Sequence, residues 1–118
     1  MDDTSEVLLV ARRFKVVRQR QILAAGPLHI RETVQHPGAV PILPIFDDGS
    51  VCLIRNVRIA VGRTLVELPA GTLEPGEDLA VTAHRELIEE TGYRASSLTK
   101  LHEFFMSPGI LNERMHLY

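Results

Sequence analysis

The chain has 118 residues, of which 45% are hydrophobic and 24% charged, a composition typical of one globular domain and not of a disordered segment. Its apolar runs are too short to cross a bilayer, and its one cysteine excludes an intramolecular disulfide framework and a thiolate zinc site. The acidic start Met1-Asp2-Asp3 lacks the basic region of a secretory signal peptide, so we expect a cytoplasmic protein with no membrane partner.

Charge is unevenly distributed along the chain. Residues 1–36 hold six basic and four acidic side chains, whereas residues 37–118 hold seven basic and eleven acidic ones. With a net charge of −2, no tryptophan and an acidic surplus between Glu67 and Glu90, the chain does not resemble a nucleic-acid-binding protein. One basic run is either the solvated face of a strand or an anion-binding arm. It contains Arg12, Arg13, Lys15, Arg18 and Arg20.

The first 36 residues predict a small antiparallel sheet of two or three strands. The segments that are rich in strand formers are Val7–Val10, Phe14–Arg20 and Leu28–Val34. Gly26-Pro27 marks a turn before the last of them. A sheet of this size is marginal by itself and needs a partner surface. We place a domain boundary after His36, so that residues 37–118 form the second domain.

The second domain predicts several strands with one helix, and therefore the α+β class. The predicted strands are Ala39–Phe46, Val51–Val57, Leu65–Leu68, Leu98–Met106 and Arg114–Tyr118. Turn residues at 47–50 predict a hairpin, and we expect a loop over Arg58–Thr64. The helix should run from Asp78 to Thr91, where Gly92 supplies the left-handed conformation that commonly ends a helix.

The predicted helix carries a cluster of carboxylates. At roughly 100° per residue, Glu86 and Glu90 lie about 40° apart, and Glu89 lies about 60° from Glu86. The apolar arc that can pack on a sheet contains Ala80, Ala83 and Leu87. Like charges at this spacing are unfavourable unless a cation neutralises them, and oxygen ligands favour Mg²⁺ or Mn²⁺ over zinc. A solvated acidic helix face is the alternative interpretation.

The residues around this cluster favour the metal interpretation. Arg85 stands eight residues after Glu77, and an ion pair between them would pin the helix to its entry loop. Gly71 allows the backbone to approach the same cluster. The whole segment resembles the Nudix box, G-x5-E-x7-R-E-U-x-E-E-x-G-U, in which U is bulky and apolar. The matching residues are Gly71, Glu77, Arg85, Glu86, Leu87, Glu89, Glu90, Gly92 and Tyr93.

The resemblance implies a Nudix-type mixed β-sheet with the box helix packed on it. It also implies Mg²⁺-dependent hydrolysis of a nucleoside diphosphate linked to another moiety, in which water attacks phosphorus. By position, the implied catalytic residues are Glu86, Glu89 and Glu90. The implied metal ligands are Glu86, Glu90 and the backbone carbonyl of Ala70. The residues with implied structural roles are Gly71, Glu77, Arg85 and Gly92.

Features outside the box resemble the ADP-ribose pyrophosphatase branch of this family. The implied substrate-binding residues are Arg31, Glu32, Arg58, Ser107, Pro108, Gly109 and Glu113. In that branch the N-terminal sheet is exchanged between subunits, so the resemblance implies a homodimer in which Arg31 and Glu32 reach the partner's site. An ordinary surface arginine is the alternative interpretation for Arg31 and for Arg58. Val66 stands where an aromatic residue is frequent.

The family usually continues through further strands, a closing helix and a late glutamate that accepts a proton. No residue of this sequence matches that glutamate, so we expect the C-terminal part of the fold to be absent. The alternatives for the proton acceptor within the sequence are Glu89, Glu103 and Glu113.

We therefore expect a Nudix hydrolase that uses Mg²⁺ to convert ADP-ribose into AMP and ribose 5-phosphate. Two alternatives stay open. The first keeps the chemistry and changes the substrate to another nucleotide sugar, coenzyme A or a dinucleotide. The second is a non-catalytic module that binds a nucleotide.

Overall fold

A computed structural model describes residues 5–22, 26 and 28–118. The acidic start at residues 1–3 and Pro27 of the predicted turn lie outside the described residues. Contacts divide the chain into two units. The sheet unit contains residues 1–38 and 105–114, and the helix unit contains residues 39–104 and 115–118.

The sheet unit contains the predicted N-terminal antiparallel sheet. Its strands are β1 (Ser5–Val10), β2 (Lys15–Ile22) and β3 (Leu28–Gln35), which pair in the order β1-β2-β3. A tight turn joins the first two strands, since the N–H of Ala11 donates to the carbonyl of Phe14 at 2.9 Å. The central strand buries Val17, whereas β1 is exposed along its whole length. The predicted sheet is confirmed, with three strands.

Residues 105–114 belong to the sheet unit although the sequence predicts them as part of the second domain. The N–H of Val34 donates to the carbonyl of Ile110 at 2.7 Å, and the N–H of Asn112 donates to the carbonyl of Val34 at 3.1 Å. The N–H of Ile110 also donates to the carbonyl of Ser107 at 3.1 Å, which closes a turn. The end of β3 therefore holds this segment through main-chain bonds.

The helix unit has a mixed sheet and a hairpin. The strands are β4 (Ala39–Pro41), β5 (Ile54–Arg58), β6 (Arg63–Glu67), β7 (Ala70–Thr72), β8 (His102–Phe105) and β9 (Arg114–Leu117). The sheet order is β7-β4-β9-β8, and β5 pairs with β6 alone. Strand β4 runs antiparallel to β7 and parallel to β9, so the predicted mixed sheet is confirmed.

Several predicted strand bounds are wrong. The strand predicted over residues 39–46 ends at Pro41, whose nitrogen cannot donate a hydrogen bond to a neighbouring strand. The predicted loop over residues 58–64 is a single 3-10 turn that Gly62 ends at φ 67°, and β6 begins directly after it at Arg63. Strand β7 was not predicted, because the three residues of Ala70–Thr72 show no strand periodicity.

The helix α1 (Leu79–Thr91) is placed as predicted. The Asp78 carboxylate accepts from the N–H of Val81, and Gly92 ends the helix at φ 77°. Ala83 and Leu87 form the buried core of the unit with two residues of the β4 region, Val40 and Ile42. This core fixes one side of α1 to the sheet. No helix among the described residues is long and apolar enough to span a membrane.

Candidate metal and diphosphate site

Strand β7 and helix α1 touch at Gly71 and Glu86. A Cβ atom at Gly71 would lie 2.1 Å from Cδ and 2.5 Å from Oε1 of Glu86. No side chain fits at such distances, so glycine is required if the Glu86 carboxylate is to lie against the strand. The sequence predicts a glycine turn here, whereas the structure shows a strand residue that the carboxylate touches.

Glu77 and Arg85 connect the start of α1 to its middle. Arg85 Nη2 lies 3.0 Å from Glu77 Oε2, as predicted from the spacing. The same carboxylate accepts from the N–H of Glu74 at 3.0 Å and from Thr82 Oγ1 at 3.1 Å. These bonds hold the entry loop, the first turn of α1 and the arginine in one arrangement. Their structural role therefore has a direct geometric basis.

Arg85 extends this arrangement to Glu86. Its Nη2 atom lies 3.3 Å from Glu86 Oε1. The Nε atom of Arg85 is buried and has no hydrogen-bond partner among the described residues. The guanidinium group thus lies between two carboxylates and orients both of them.

The three helix carboxylates have unequal surroundings. The Glu86 side chain is only 14% exposed, whereas Glu89 and Glu90 are exposed. Burial raises the pKa of Glu86, and repulsion from Glu89, Glu90 and Glu77 raises it further, while Arg85 partly offsets these effects. The ionised form of Glu86 is therefore less favourable here than in a solvated side chain, and added positive charge would favour it.

The backbone next to Gly71 offers a further oxygen. The N–H of Ile42 donates to the carbonyl of Pro69 at 2.8 Å, so that carbonyl points towards β4. Carbonyls of successive strand residues point in opposite directions, and Ala70 therefore directs its carbonyl away from β4. Because β7 is the terminal strand of its sheet, this carbonyl lies at the sheet edge, one residue from the contact with Glu86.

These groups suit a hard divalent cation. They supply only oxygen donors, and a positive ion beside Glu86 would offset the repulsion that raises its pKa. The described residues contain no group of three or more His, Cys, Asp or Glu side chains that could hold a metal ion as they are arranged. The fit therefore rests on Glu86, its carboxylate neighbours on α1 and a backbone carbonyl.

Arg58, a predicted substrate-binding residue, contacts a carboxylate across the β5–β6 hairpin. Its Nε atom donates to Glu67 Oε2 at 2.8 Å and its Nη2 atom to Oε1 at 2.6 Å. These bonds lower the pKa of Glu67. The Arg58 side chain is 50% exposed.

The remaining predicted substrate-binding residues all belong to the sheet unit. Arg31 contacts the carbonyl of Ile30 and the ring of His29, both at 3.1 Å. Glu32 accepts from Arg18 at 3.2 Å. The other four predicted substrate-binding residues follow β8 within the segment 105–114. They are Ser107, Pro108, Gly109 and Glu113.

Sequence reasoning missed three polar residues that support these sites. Thr82 is fully buried and donates to Glu77. Glu67 fixes Arg58, and His36 lies 3.1 Å from Glu113. A polar residue within the buried face of α1 could have revealed Thr82. The Arg58–Glu67 contact depends on the register of a hairpin, and the His36–Glu113 contact joins residues 77 positions apart, so neither gave a local signal.

The comparisons identify the family. A family model described as NUDIX domain matches residues 35–118. The chain belongs to the NUDIX domain family. The match begins at the end of β3 and includes the whole of α1 with the Gly71–Glu86 contact.

Two curated relatives of this NUDIX chain carry the same name. An ADP-ribose pyrophosphatase of Bacillus subtilis (strain 168) is 47% identical over 96 residues, which cover 81% of this chain and 52% of the relative. An ADP-ribose pyrophosphatase of Mycobacterium tuberculosis (strain ATCC 25618 / H37Rv) is 37% identical over 116 residues, which cover 98% of this chain and 56% of the relative. The chain thus spans about half the length of these relatives.

A solved structure supports the fold. The crystal structure of an ADP compounds hydrolase matches with a TM-score of 0.83 and 28% identity, over 98% of this chain and 63% of that chain. Because this match includes nearly the whole chain, both the N-terminal sheet and the mixed sheet with its helix have counterparts in that structure.

Proposed function

We propose that this NUDIX chain hydrolyses a nucleoside diphosphate linked to another moiety with the help of Mg²⁺, and that ADP-ribose is the substrate. The observation that carries the proposal is the contact of the Glu86 carboxylate with Gly71, at the centre of a group of acidic side chains. A diphosphate is itself anionic, so such a group can meet it only through a cation. The names of the two curated relatives and of the solved structure support an ADP-containing substrate.

In this proposal Glu86, Glu90 and the carbonyl of Ala70 hold the ion, and Mn²⁺ is an acceptable substitute for Mg²⁺. Bound there, the ion would lower the pKa of water and neutralise charge on the phosphate oxygens. Arg85 and Glu77 keep Glu86 in place, while Gly71 leaves room for its carboxylate. The chain's own contribution is therefore a set of oriented oxygens on a helix that the core fixes.

The overall reaction is balanced by one water molecule. The water oxygen bonds to phosphorus, the anhydride P–O bond breaks, and AMP and ribose 5-phosphate are released, with two protons when both products leave as dianions. Of the three candidate acceptors, Glu103 has its pKa lowered by Lys100 and His116, which makes it the weaker base. Glu113 contacts His36, and Glu89 is exposed on α1 beside Glu86 and Glu90. We therefore assign the proton acceptor within this chain to Glu89.

Substrate contacts complete the proposal. Arg58 would bind phosphate or stack on the base with the exposed part of its guanidinium. The sheet-unit residues assigned to the substrate are Arg31, Glu32, Ser107, Pro108, Gly109 and Glu113. These assignments rest on the resemblance to the ADP-ribose pyrophosphatase branch and on the names of the relatives.

The test is the release of AMP from ADP-ribose by the full chain with Mg²⁺ and with EDTA. Glu90→Gln should reduce turnover at least about 100-fold, because it removes a charged ligand. Glu74→Gln is the matched control, since Glu74 is an exposed carboxylate outside the group, and it should leave turnover unchanged.

Three outcomes would change the proposal. Turnover of UDP-glucose or dinucleoside polyphosphates in preference to ADP-ribose would assign a different NUDIX substrate. Binding of ADP-ribose without turnover would support a non-catalytic nucleotide-binding module. Turnover that is unaffected by EDTA and by Glu90→Gln would contradict the site itself.

The proposal includes a homodimer formed through the sheet unit. Strand β1 exposes Val7, Leu9 and Val10, and its outer edge is the end of the sheet. Sedimentation should give a dimer, and Leu9→Lys should shift it towards monomer. A compact monomer at all concentrations would contradict this part. The free thiol of Cys52 is consistent with the proposed cytoplasmic location.

A further inference from the structure

His36 connects three positions within the sheet unit. Its backbone N–H donates to Oδ1 of Asn112 at 2.7 Å. Its ring Nδ1 accepts from the N–H of Gly38 at 3.0 Å and lies 3.1 Å from Oε2 of Glu113. The side chains of His36 and Glu113 are largely buried, at 14% and 16% exposure. Such burial is unusual for a carboxylate and requires that a partner compensate its charge.

One ring nitrogen cannot serve both neighbours in the same protonation state. Without a proton, Nδ1 accepts from the N–H of Gly38; with a proton, it donates to Glu113. A lone pair directed at a desolvated carboxylate would be repulsive. The imidazole therefore constrains the orientation that the Glu113 carboxylate can adopt.

The main-chain hydrogen bonds near His36 position the backbone and not the Glu113 carboxylate. The bonds of Val34 with Ile110 and Asn112 position the backbone of the segment, and the N–H of Leu111 closes its turn on the carbonyl of Ser107 at 2.9 Å. None of these bonds involves the carboxylate of Glu113. Among the described residues, His36 is the basic side chain that lies within 4.0 Å of the Glu113 carboxylate, at 3.1 Å.

We propose that His36 is a positioning residue that holds the Glu113 carboxylate in the orientation in which it contacts the substrate. This inference rests on the proposed function, in which Glu113 is a substrate-binding residue. It predicts that the histidine contributes to substrate affinity through Glu113 and does not touch the substrate itself.

The experiment measures, by calorimetry in Mg²⁺, the Kd of an ADP-ribose analogue in which a methylene group replaces the bridging oxygen of the diphosphate, so that turnover does not interfere. His36→Ala removes both ring contacts and should weaken binding about tenfold. His36→Asn should restore binding to within about threefold, since an Asn amide can accept from the N–H two residues on and can donate to Glu113. In the background of Glu113→Gln, adding His36→Ala should have no further effect, because the two residues act as one unit.

Asn112→Ala is the matched control for a purely structural role. It removes the bond to the backbone of His36 but leaves the Glu113 contact intact, so binding should change less than about threefold. The inference is overturned if His36→Ala leaves the Kd unchanged, if Asn112→Ala weakens binding equally, or if the effects of His36→Ala and Glu113→Gln add. Wild-type protein that does not bind the analogue also overturns it.

The proposed function is judged by a separate measurement, the wild-type turnover with Mg²⁺. Tenfold weaker binding by His36→Ala supports the inference even if wild-type protein does not turn over ADP-ribose. Active wild-type protein whose affinity does not depend on His36 contradicts the inference alone. The imidazole ¹⁵N shift of His36 adds a readout without ligand, since Glu113→Gln should move it and Glu32→Gln should not.

Discussion

The carboxylates next to α1 and those on strands β1 and β3 are held in opposite ways. In the helix unit, Glu77 lies in the loop before α1 and Glu86 lies on α1 itself, whose other side packs into a buried core, and a glycine leaves space for Glu86. In the sheet unit, Glu6 and Glu32 lie on exposed strands and share Arg18 at 3.6 and 3.2 Å. Contacts of the first kind fix an orientation, whereas exposed pairs of the second kind contribute little.

The buried apolar side chains show the same difference. Among the described residues, Val17 is buried in the sheet unit, while the buried apolar side chains of the helix unit are Ala39, Val40, Pro41, Ile42, Pro69, Ala83 and Leu87. A rigid core suits groups that must hold a cation within tenths of an ångström. A sheet with exposed strands suits an element that obtains its stability from a partner surface.

Gly71→Ala should have the largest effect on the helix unit. The new methyl group would occupy the place of the Glu86 carboxylate, and this flexible side chain would swing away. We expect kcat/KM for ADP-ribose to fall about 100-fold, with a stability cost of about 1 kcal/mol. In the sheet unit, a Cβ atom at Gly109 would lie in open space, so Gly109→Ala should leave the free energy of unfolding of the protein unchanged. Denaturant unfolding of both variants and the kinetics of Gly71→Ala check this contrast.

Glu77→Gln should lower the free energy of unfolding by about 2 kcal/mol, because its carboxylate accepts three bonds, one of them from Arg85. Glu32→Gln is the matched change in the sheet unit and should cost less than about 0.5 kcal/mol. Urea unfolding measures both. Equal losses of unfolding free energy in the two variants would mean that the contacts of Glu77 stabilise the protein no more than those of Glu32.

The Arg58–Glu67 pair makes a pH prediction. Because bonds from Arg58 lower the pKa of Glu67, the pair contributes stability above the ordinary value of 4.5, and this contribution is lost as the pH falls through the lower folded value. Glu67→Gln should therefore lower the free energy of unfolding by about 0.5 kcal/mol at pH 7 and by less at pH 3. Thermal unfolding at the two pH values checks the sign, and a cost that is greater at pH 3 would contradict it.

Glu86→Gln should produce the smallest effect and the opposite sign. In EDTA it removes the repulsion of Glu86 from Glu89 and Glu90 and also its ion pair with Arg85, so the free energy of unfolding should rise by only about 0.2–0.5 kcal/mol, and the Tm with it. Excess Mg²⁺ should raise the Tm of the wild-type protein and not that of the variant. A variant that is less stable than the wild type in EDTA would show that this carboxylate is not under repulsion.

Features that depend on neighbouring residues could be predicted from the sequence. The bounds of α1 followed from Asp78 and Gly92, and the Glu77–Arg85 pair followed from a spacing of eight residues. The carboxylate set on α1 also followed from helical periodicity alone. These features depend on backbone conformation within a few turns of chain, which nearby residues specify.

The contacts between distant segments come from the tertiary structure. It made Gly71 a strand residue against Glu86, joined residues 105–114 to β3, and brought His36 to Glu113 across 77 positions of sequence. It also shortened the strand at Pro41 and added β7 beside it. Such contacts depend on the packing of whole elements and on burial, and no local pattern of residue types specifies which pairs will meet.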